Sequence, residues 1–164
     1  MVVLRTVCIA AALVPAGAAR AHVSVQPVEA TAGTYQVLRF GLGHGCDGKP
    51  SRALRIEIPQ GVSTARPQPK PGWKLEVARR ADGTPTAITW TGNLAADEFD
   101  EFVMLTRLPP TAGPLPFPAT QSCEGAEARW VEVAPPGAPR PVRPAPVVNL
   151  KPGAAPQAGH DHRH

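Results

Sequence analysis

Aromatic residues are scarce, with three tryptophans, four phenylalanines and one tyrosine in 164 residues. Each tryptophan therefore has to be placed, either in a core or at a binding surface. Cysteine is scarcer still, at three, and Cys8 lies in the leader-like start, which leaves one pair. Beyond residue 21 there is no long apolar run, so no segment can span a bilayer as a helix. No window of a dozen residues repeats its apolar positions every 3.6, and this sets aside a helical fold. Basic residues outnumber acidic ones by only 17 to 13. They are scattered and form no stripe interleaved with aromatics, which sets aside nucleic acid as a partner. There is no Gly-x-Ser-x-Gly, His-Glu-x-x-His, phosphate loop or dinucleotide fingerprint, so no familiar enzyme constellation is present. No internal repeat is visible.

What is there begins with a secretory pattern. Arg5 supplies a positive start, Thr6 to Pro15 is small and apolar, and Ala19-Arg20-Ala21 fits the small-residue cleavage rule. Residues 1–21 are thus expected to be a signal peptide cleaved after Ala21, giving a periplasmic or otherwise exported protein without stable membrane insertion. Without Arg5 and Arg20 the 17 basic residues fall to 15 against 13 acidic ones. A net charge of about +2 is too small to argue for an anionic membrane.

Cleavage after Ala21 would make His22 the first residue of the mature chain. A terminal histidine offers its α-amino nitrogen and ring Nδ1 together, a chelating pair suited to copper, nickel or zinc, with copper(II) the tightest divalent binder. Chance can also leave a histidine at such a position. Cys46 and Cys123, an even pair in an exported chain, are expected to form one disulfide rather than thiolate metal ligands. The bridge would close a loop of roughly 80 residues, worth about 3–5 kcal/mol in the chain-entropy picture.

The mature chain alternates apolar and polar residues in short stretches. Val23 to Gln26 reads as a strand ended by Pro27, and residues 28–34 as a turn around Gly33. Gln36 to Leu42, Leu54 to Ile58, Trp73 to Val77 and Ala87 to Trp90 follow, the third and fourth being joined by a turn at Asp82-Gly83. Phe99 to Leu108 is apolar on both faces, as a central strand would be. Phe117 to Cys123 and Arg129 to Val133 complete the set. Seven or eight short strands with turns about every ten residues predict an all-β sandwich of immunoglobulin or cupredoxin type over residues 22–133. From Ala134 the composition turns to Pro, Ala, Gly and Val. Residues 134–164 are expected to be a disordered, extended tail. It ends in His160-Asp161-His162-Arg163-His164, a compositional signal for metal capture through His160, His162 and His164.

Pairing about the Gly33 turn would bring His22 beside the end of the second strand, near Leu42 to His44. His44 is therefore the internal candidate for a second ligand, although a histidine in a glycine-rich loop can equally be a solvated one. Trp73 and Trp90 continue apolar faces and are assigned to the core. Trp130 shares a face with Ala128 and Glu132, a partly polar setting of the kind found at binding sites. Acidic candidates are Asp47, Glu57, Glu98 and Glu101, each of which could also be a solvated surface carboxylate.

In order along the chain, His22-Val23-Ser24-Val25-Gln26-Pro27, Gly43-His44-Gly45-Cys46-Asp47-Gly48 and Leu54 to Gly61 resemble the YcnI-like copper-binding domain. So do Pro69-Lys70-Pro71-Gly72-Trp73, Asp100-Glu101-Phe102 and Gln121-Ser122-Cys123-Glu124 through Trp130. The resemblance implies an exported β-sandwich with a copper(II) site on the mature N-terminal histidine, a carboxylate and a tryptophan. It carries the histidine to His22 and the tryptophan to Trp130. Where the carboxylate would align, this chain has Arg55, with Glu57 two residues on, so the third ligand stays open among His44, Asp47, Glu57 and Glu101. The implied role is trafficking or storage of a copper ion, with a periplasmic copper chaperone or an inner-membrane copper transporter as exchange partner and no catalysis. Two rivals remain: a histidine-brace copper oxygenase, and a β-sandwich interaction module without metal.

Overall fold

The computed structural model describes residues 22–135, 137–139 and 141–153. Twelve strands lie among them: β1 (Val23–Gln26), β2 (Glu29–Thr31), β3 (Tyr35–Leu42), β4 (Ser51–Glu57), β5 (Thr64–Pro67), β6 (Lys74–Arg79), β7 (Pro85–Leu94), β8 (Asp100–Arg107), β9 (Gly113–Pro116), β10 (Ala119–Cys123), β11 (Ala126–Trp130) and β12 (Val147–Lys151). One sheet runs β1-β3-β8-β5, a second β11-β10-β4-β7-β6, and a third, smaller one β2-β12-β9.

Period-two alternation decides which face each strand buries. In β4, Leu54 and Ile56 are buried while Arg52, Ala53, Arg55 and Glu57 are not. In β3, Leu38, Phe40 and Leu42 turn inward, and β8 answers with Phe102 and Met104. The core forms where the two larger sheets meet. Trp90 of β7 packs edge-on against Phe102 with ring centroids 5.5 Å apart, and Trp73 reaches the same ring at 4.8 Å. Phe117, Val148 and Leu150 extend this core towards the third sheet. The architecture is an all-β, immunoglobulin-like sandwich.

Four expectations need correction. The segment after Ala134 is not a free tail throughout. Val147–Lys151 forms β12, parallel to β2 and antiparallel to β9, with Val148 fully buried. Its Val-Val-Asn-Leu-Lys alternation outweighs the proline-rich composition around it, because β2 and β9 offer it hydrogen bonds and a core face. The strand expected at Arg129 to Val133 lies earlier and ends at Trp130, leaving Val131 and Val133 exposed. β8 begins at Asp100, with Phe99 exposed before it. The supposed turn at residues 28–34 contains β2, which leaves its neighbours to pair with β12. Residues 1–21 and 154–164, and with them the expected signal peptide and His160, His162 and His164, lie outside the described residues.

Candidate metal centre

β1 and β3 pair antiparallel in the register Val23↔Leu42 through Gln26↔Arg39. Continued by one residue, this places His22 opposite Gly43, at the mouth of the loop that carries His44. His22 is exposed, and β1 is the outer strand of its sheet.

Trp130 reaches the same corner from the other sheet. It closes β11 opposite Ala119, which in turn lies opposite Ile56 of β4. Ala119 and Ile56 are buried, so the ring stands at the end of an apolar row. It is 4% exposed, well inside the protein rather than on a partly polar face. Its centroid lies 5.1 Å from the His22 ring at an interplanar angle of 31°. The indole Nε1 is buried and has no hydrogen-bond partner among the described residues. The core Trp90 Nε1 is likewise unmatched, so it is the position of Trp130 beside His22, and not its unmatched N–H, that sets this indole apart.

The described residues between 131 and 146 fold back past this corner. The Glu132 backbone N–H donates to the Arg143 carbonyl at 3.1 Å, the Ala145 N–H to the Glu132 carbonyl at 2.9 Å, and the Arg143 N–H to Glu132 Oε2 at 3.0 Å. The return stroke, Pro144 to Val147, runs beside β1 and leaves an open groove of about 360 Å³ that reaches His22.

The other candidates are distributed differently. Cys46 and Cys123 form the expected disulfide, with S–S 2.12 Å. His44 is half-buried beside it, and its ring Nδ1–H donates to the Gly45 carbonyl at 2.9 Å, since a carbonyl can only accept. Its own carbonyl accepts from Gln121 Nε2 at 2.9 Å. Glu57 is engaged by Arg55, whose Nε lies 2.7 Å from Glu57 Oε1. Glu101 lies on β8 beside a small groove of about 130 Å³, together with Lys70 and Trp90. Lys70 Nζ donates to the Glu101 carbonyl at 3.1 Å and pairs with Asp100. Asp47 is exposed in the loop, and Glu98 Oε2 accepts from the Ala95 N–H in its own turn. Asp82 is held below the usual carboxylate range by the Thr84 N–H and hydroxyl, in a hairpin turn that takes no part here. Among the described residues no three His, Cys, Asp or Glu side chains gather as a metal-holding group. The structure thus brings His22 to Trp130, and Cys46 to Cys123. It does not collect His44, Glu57 and Glu101 around one point.

Two features escaped the sequence reading. Gln121 is fully buried and ties the His44 loop to β10, donating to Ser51 Oγ at 2.8 Å as well as to His44. Its place between Ala119 and Cys123 on the buried face of a strand was the available signal. The Pro144–Val147 wall of the groove had no signal beyond the alternation that follows it.

A family model described as a domain of unknown function (DUF1775) matches residues 22–150. The chain belongs to that family. It is the YcnI-like family that the sequence blocks resemble, and the match takes in β12 as well as the two larger sheets. Copper-binding protein CutI of Bacillus subtilis (strain 168) is 26% identical over 116 residues, 68% of this chain and 56% of CutI. The chain thus spans little more than half the length of that curated relative. A solved protein from Nocardia farcinica, described as revealing an immunoglobulin-like fold, matches with a TM-score of 0.71 at 27% identity. That likeness covers 79% of this chain and 97% of the Nocardia protein.

Proposed function

We propose that this DUF1775 chain is an exported, periplasmic copper(II)-binding protein that stores copper or hands it on, without a catalytic cycle of its own. Its ligands would be the α-amine and Nδ1 of His22 once residues 1–21 have been removed, with Trp130 shielding one side. The observation that carries this is the 5.1 Å contact between the His22 and Trp130 rings. It joins two residues 108 positions apart, from the edges of two different sheets. Donor chemistry supports the metal: amine and imidazole nitrogens suit copper(II) better than other common divalent ions. The name of the Bacillus relative, a copper-binding protein, points the same way. An oxygenase would need a substrate platform at the metal, and the groove that reaches His22, lined by residues 22–26, 28 and 144–147, carries no Trp, Tyr or Phe.

The test uses the processed chain starting at His22 and a form with one extra residue before it, both carrying His160→Ala, His162→Ala and His164→Ala. The extra residue removes the terminal amine from His22 and leaves the imidazole. Copper(II) affinity should fall about a hundredfold, the scale on which a metal site responds to loss of a supporting interaction, and the EPR spectrum should change. Equal affinity and identical spectra would overturn the N-terminal chelate.

A further inference from the structure

Two sequence blocks that the copper reading leaves unused, Pro69-Lys70-Pro71-Gly72-Trp73 and Asp100-Glu101-Phe102, meet at the small groove beside β8. That groove shares no lining residue with the one at His22. We propose that it binds the α-ammonium and adjacent carbonyl oxygen of a small amino acid, free or as the first residue of a peptide. The oxygen is taken by Trp90 Nε1 and Lys70 Nζ, and the ammonium by Glu101. This site does not rest on the copper proposal.

The groove wall is built before any ligand arrives. Pro67 ends β5, yet the next residue still pairs, the Gln68 N–H donating to the Val103 carbonyl at 2.8 Å. Prolines on either side of Lys70 hold their own φ angles fixed. The Trp73 N–H closes the turn on the Lys70 carbonyl at 3.1 Å. The Trp73 ring lies against Gly92, where a Cβ would fall 2.5 Å from the indole. Lys70 Nζ pairs with Asp100, donates to the Glu101 carbonyl at 3.1 Å and stands 5.2 Å from the centre of the Phe102 ring. A ligand therefore pays little to order this wall, which favours binding.

Size and donor balance select the ligand. The groove holds about 130 Å³, and a cavity of about 150 Å³ takes benzene, so about six non-hydrogen atoms fit. Pro69, Pro71 and Val103 supply apolar walls. Trp90 also lines the groove, is fully buried, and its Nε1 has no hydrogen-bond partner among the described residues. Buried donors nearly always have an acceptor. An ammonium carries three N–H donors, and Lys70 spends two of them on Asp100 and Glu101. Both groups call for an oxygen. A plain carboxylate is disfavoured, because Asp100 and Glu101 together outweigh the one charge of Lys70. Glu101 is exposed at the groove and enters no ion pair among the described residues. It calls for a positive donor. An oxygen acceptor and an ammonium within so few atoms describe an α-amino acid of the size of alanine.

The test follows the indole N–H signals of the three tryptophans by NMR in the metal-free, nitrogen-15-labelled processed chain. Trp90→Phe identifies the Trp90 signal. Alanine, alanyl-alanine, propionate and ethylamine are titrated separately. We expect alanine, the dipeptide or both to move the Trp90 signal to saturation. Propionate and ethylamine, each with half of the pair, should leave it in place. A response to alanine alone assigns the free amino acid, and a response to the dipeptide alone assigns a peptide terminus. In Glu101→Gln, a change to an exposed side chain, the responding probe should bind about tenfold more weakly, the scale of a lost hydrogen bond to a charged group. A Trp90 signal that neither alanine nor the dipeptide moves would overturn the inference. So would an equal response to propionate, or undiminished binding in Glu101→Gln. None of these outcomes touches the His22 chelate.

Discussion

The loop around Cys46 and the corner at His22 lie on either side of Gly43, yet they handle polar atoms in opposite ways. In the loop almost every group is used to hold the loop itself. The Gly45 N–H donates to the Ala96 carbonyl, the Lys49 N–H to the Cys46 carbonyl, and Gln121 to both His44 and Ser51. A Cβ on Gly45 would fall 1.8 Å from the Lys49 carbonyl oxygen, so the turn admits only glycine. One acceptor, Gln121 Oε1, is left unmatched among the described residues. At the corner, by contrast, a large indole is buried with its N–H unmatched, beside an exposed imidazole and an open groove. Hydrogen bonds made inside a loop give it shape. An exposed imidazole beside an open groove gives the protein something to bind with. A histidine is present in both places, and only its surroundings tell the two apart.

The largest break in this comparison should come from the loop. Replacing Cys46 and Cys123 together by alanine opens a link between residues 77 apart. It should lower unfolding free energy by about 3–5 kcal/mol, read as a fall in the urea midpoint with an unchanged slope. Copper(II) binding at 4 °C, where the variant is still folded, should be altered much less than stability. A fall in affinity as large as the fall in stability would mean the two regions are one unit.

Trp130→Phe sharpens the corner side. Phenylalanine keeps most of the apolar packing against Ala119 and Ile56, so the stability loss should be about 1–2 kcal/mol. The distinctive readout is fluorescence. Trp73 and Trp90 sit around Phe102, and Trp130 alone stacks on His22. Copper(II) should quench the native protein, and most of that quenching should vanish in the variant. Quenching that persists would place the ion elsewhere.

The smallest effect is expected from His44→Ala. The ring gives up one hydrogen bond to Gly45, worth about 1 kcal/mol or less, while Gln121 still holds the backbone. Copper(II) affinity at the first equivalent should stay within about threefold of the native value in the same titration. A larger loss would move His44 from the loop to the corner.

Much of this was legible in the residues. The alternation of Leu54, Ile56 and Ile58 against Arg55 and Glu57 has one structural solution, and the turn at Gly33 was enough to bring His22 to the end of β3. β8 does lie between β3 and β5, yet it buries only the face of Phe102, Met104 and Thr106, with Val103 and Leu105 half-buried on the other. Trp130 stood out as a misfit, but its burial was not readable, since Ala128 and Glu132 on the same side of the chain are not buried. β2, β5 and β9 are three or four residues long and carry proline or glycine near their ends. Nothing local distinguishes such pieces from turns, because what makes them strands is a partner far along the chain. β12 shows this most clearly: its composition argued for a tail, and its partners made it a strand.

The parallel pairing of β12 with β2 has a consequence in time. Asn149 meets Glu29 and Lys151 meets Thr31, so the second and the last of the described strands close on each other. Loop-closure cost must be met before such distant contacts return anything. No emerging chain shorter than about 150 residues can close this seam, and none shorter than 130 can set Trp130 on His22. His22 must wait for nearly all of the chain that follows it, so the corner is assembled only where the chain completes its folding. On the export proposed above, the ion would then be met at the destination and not carried there.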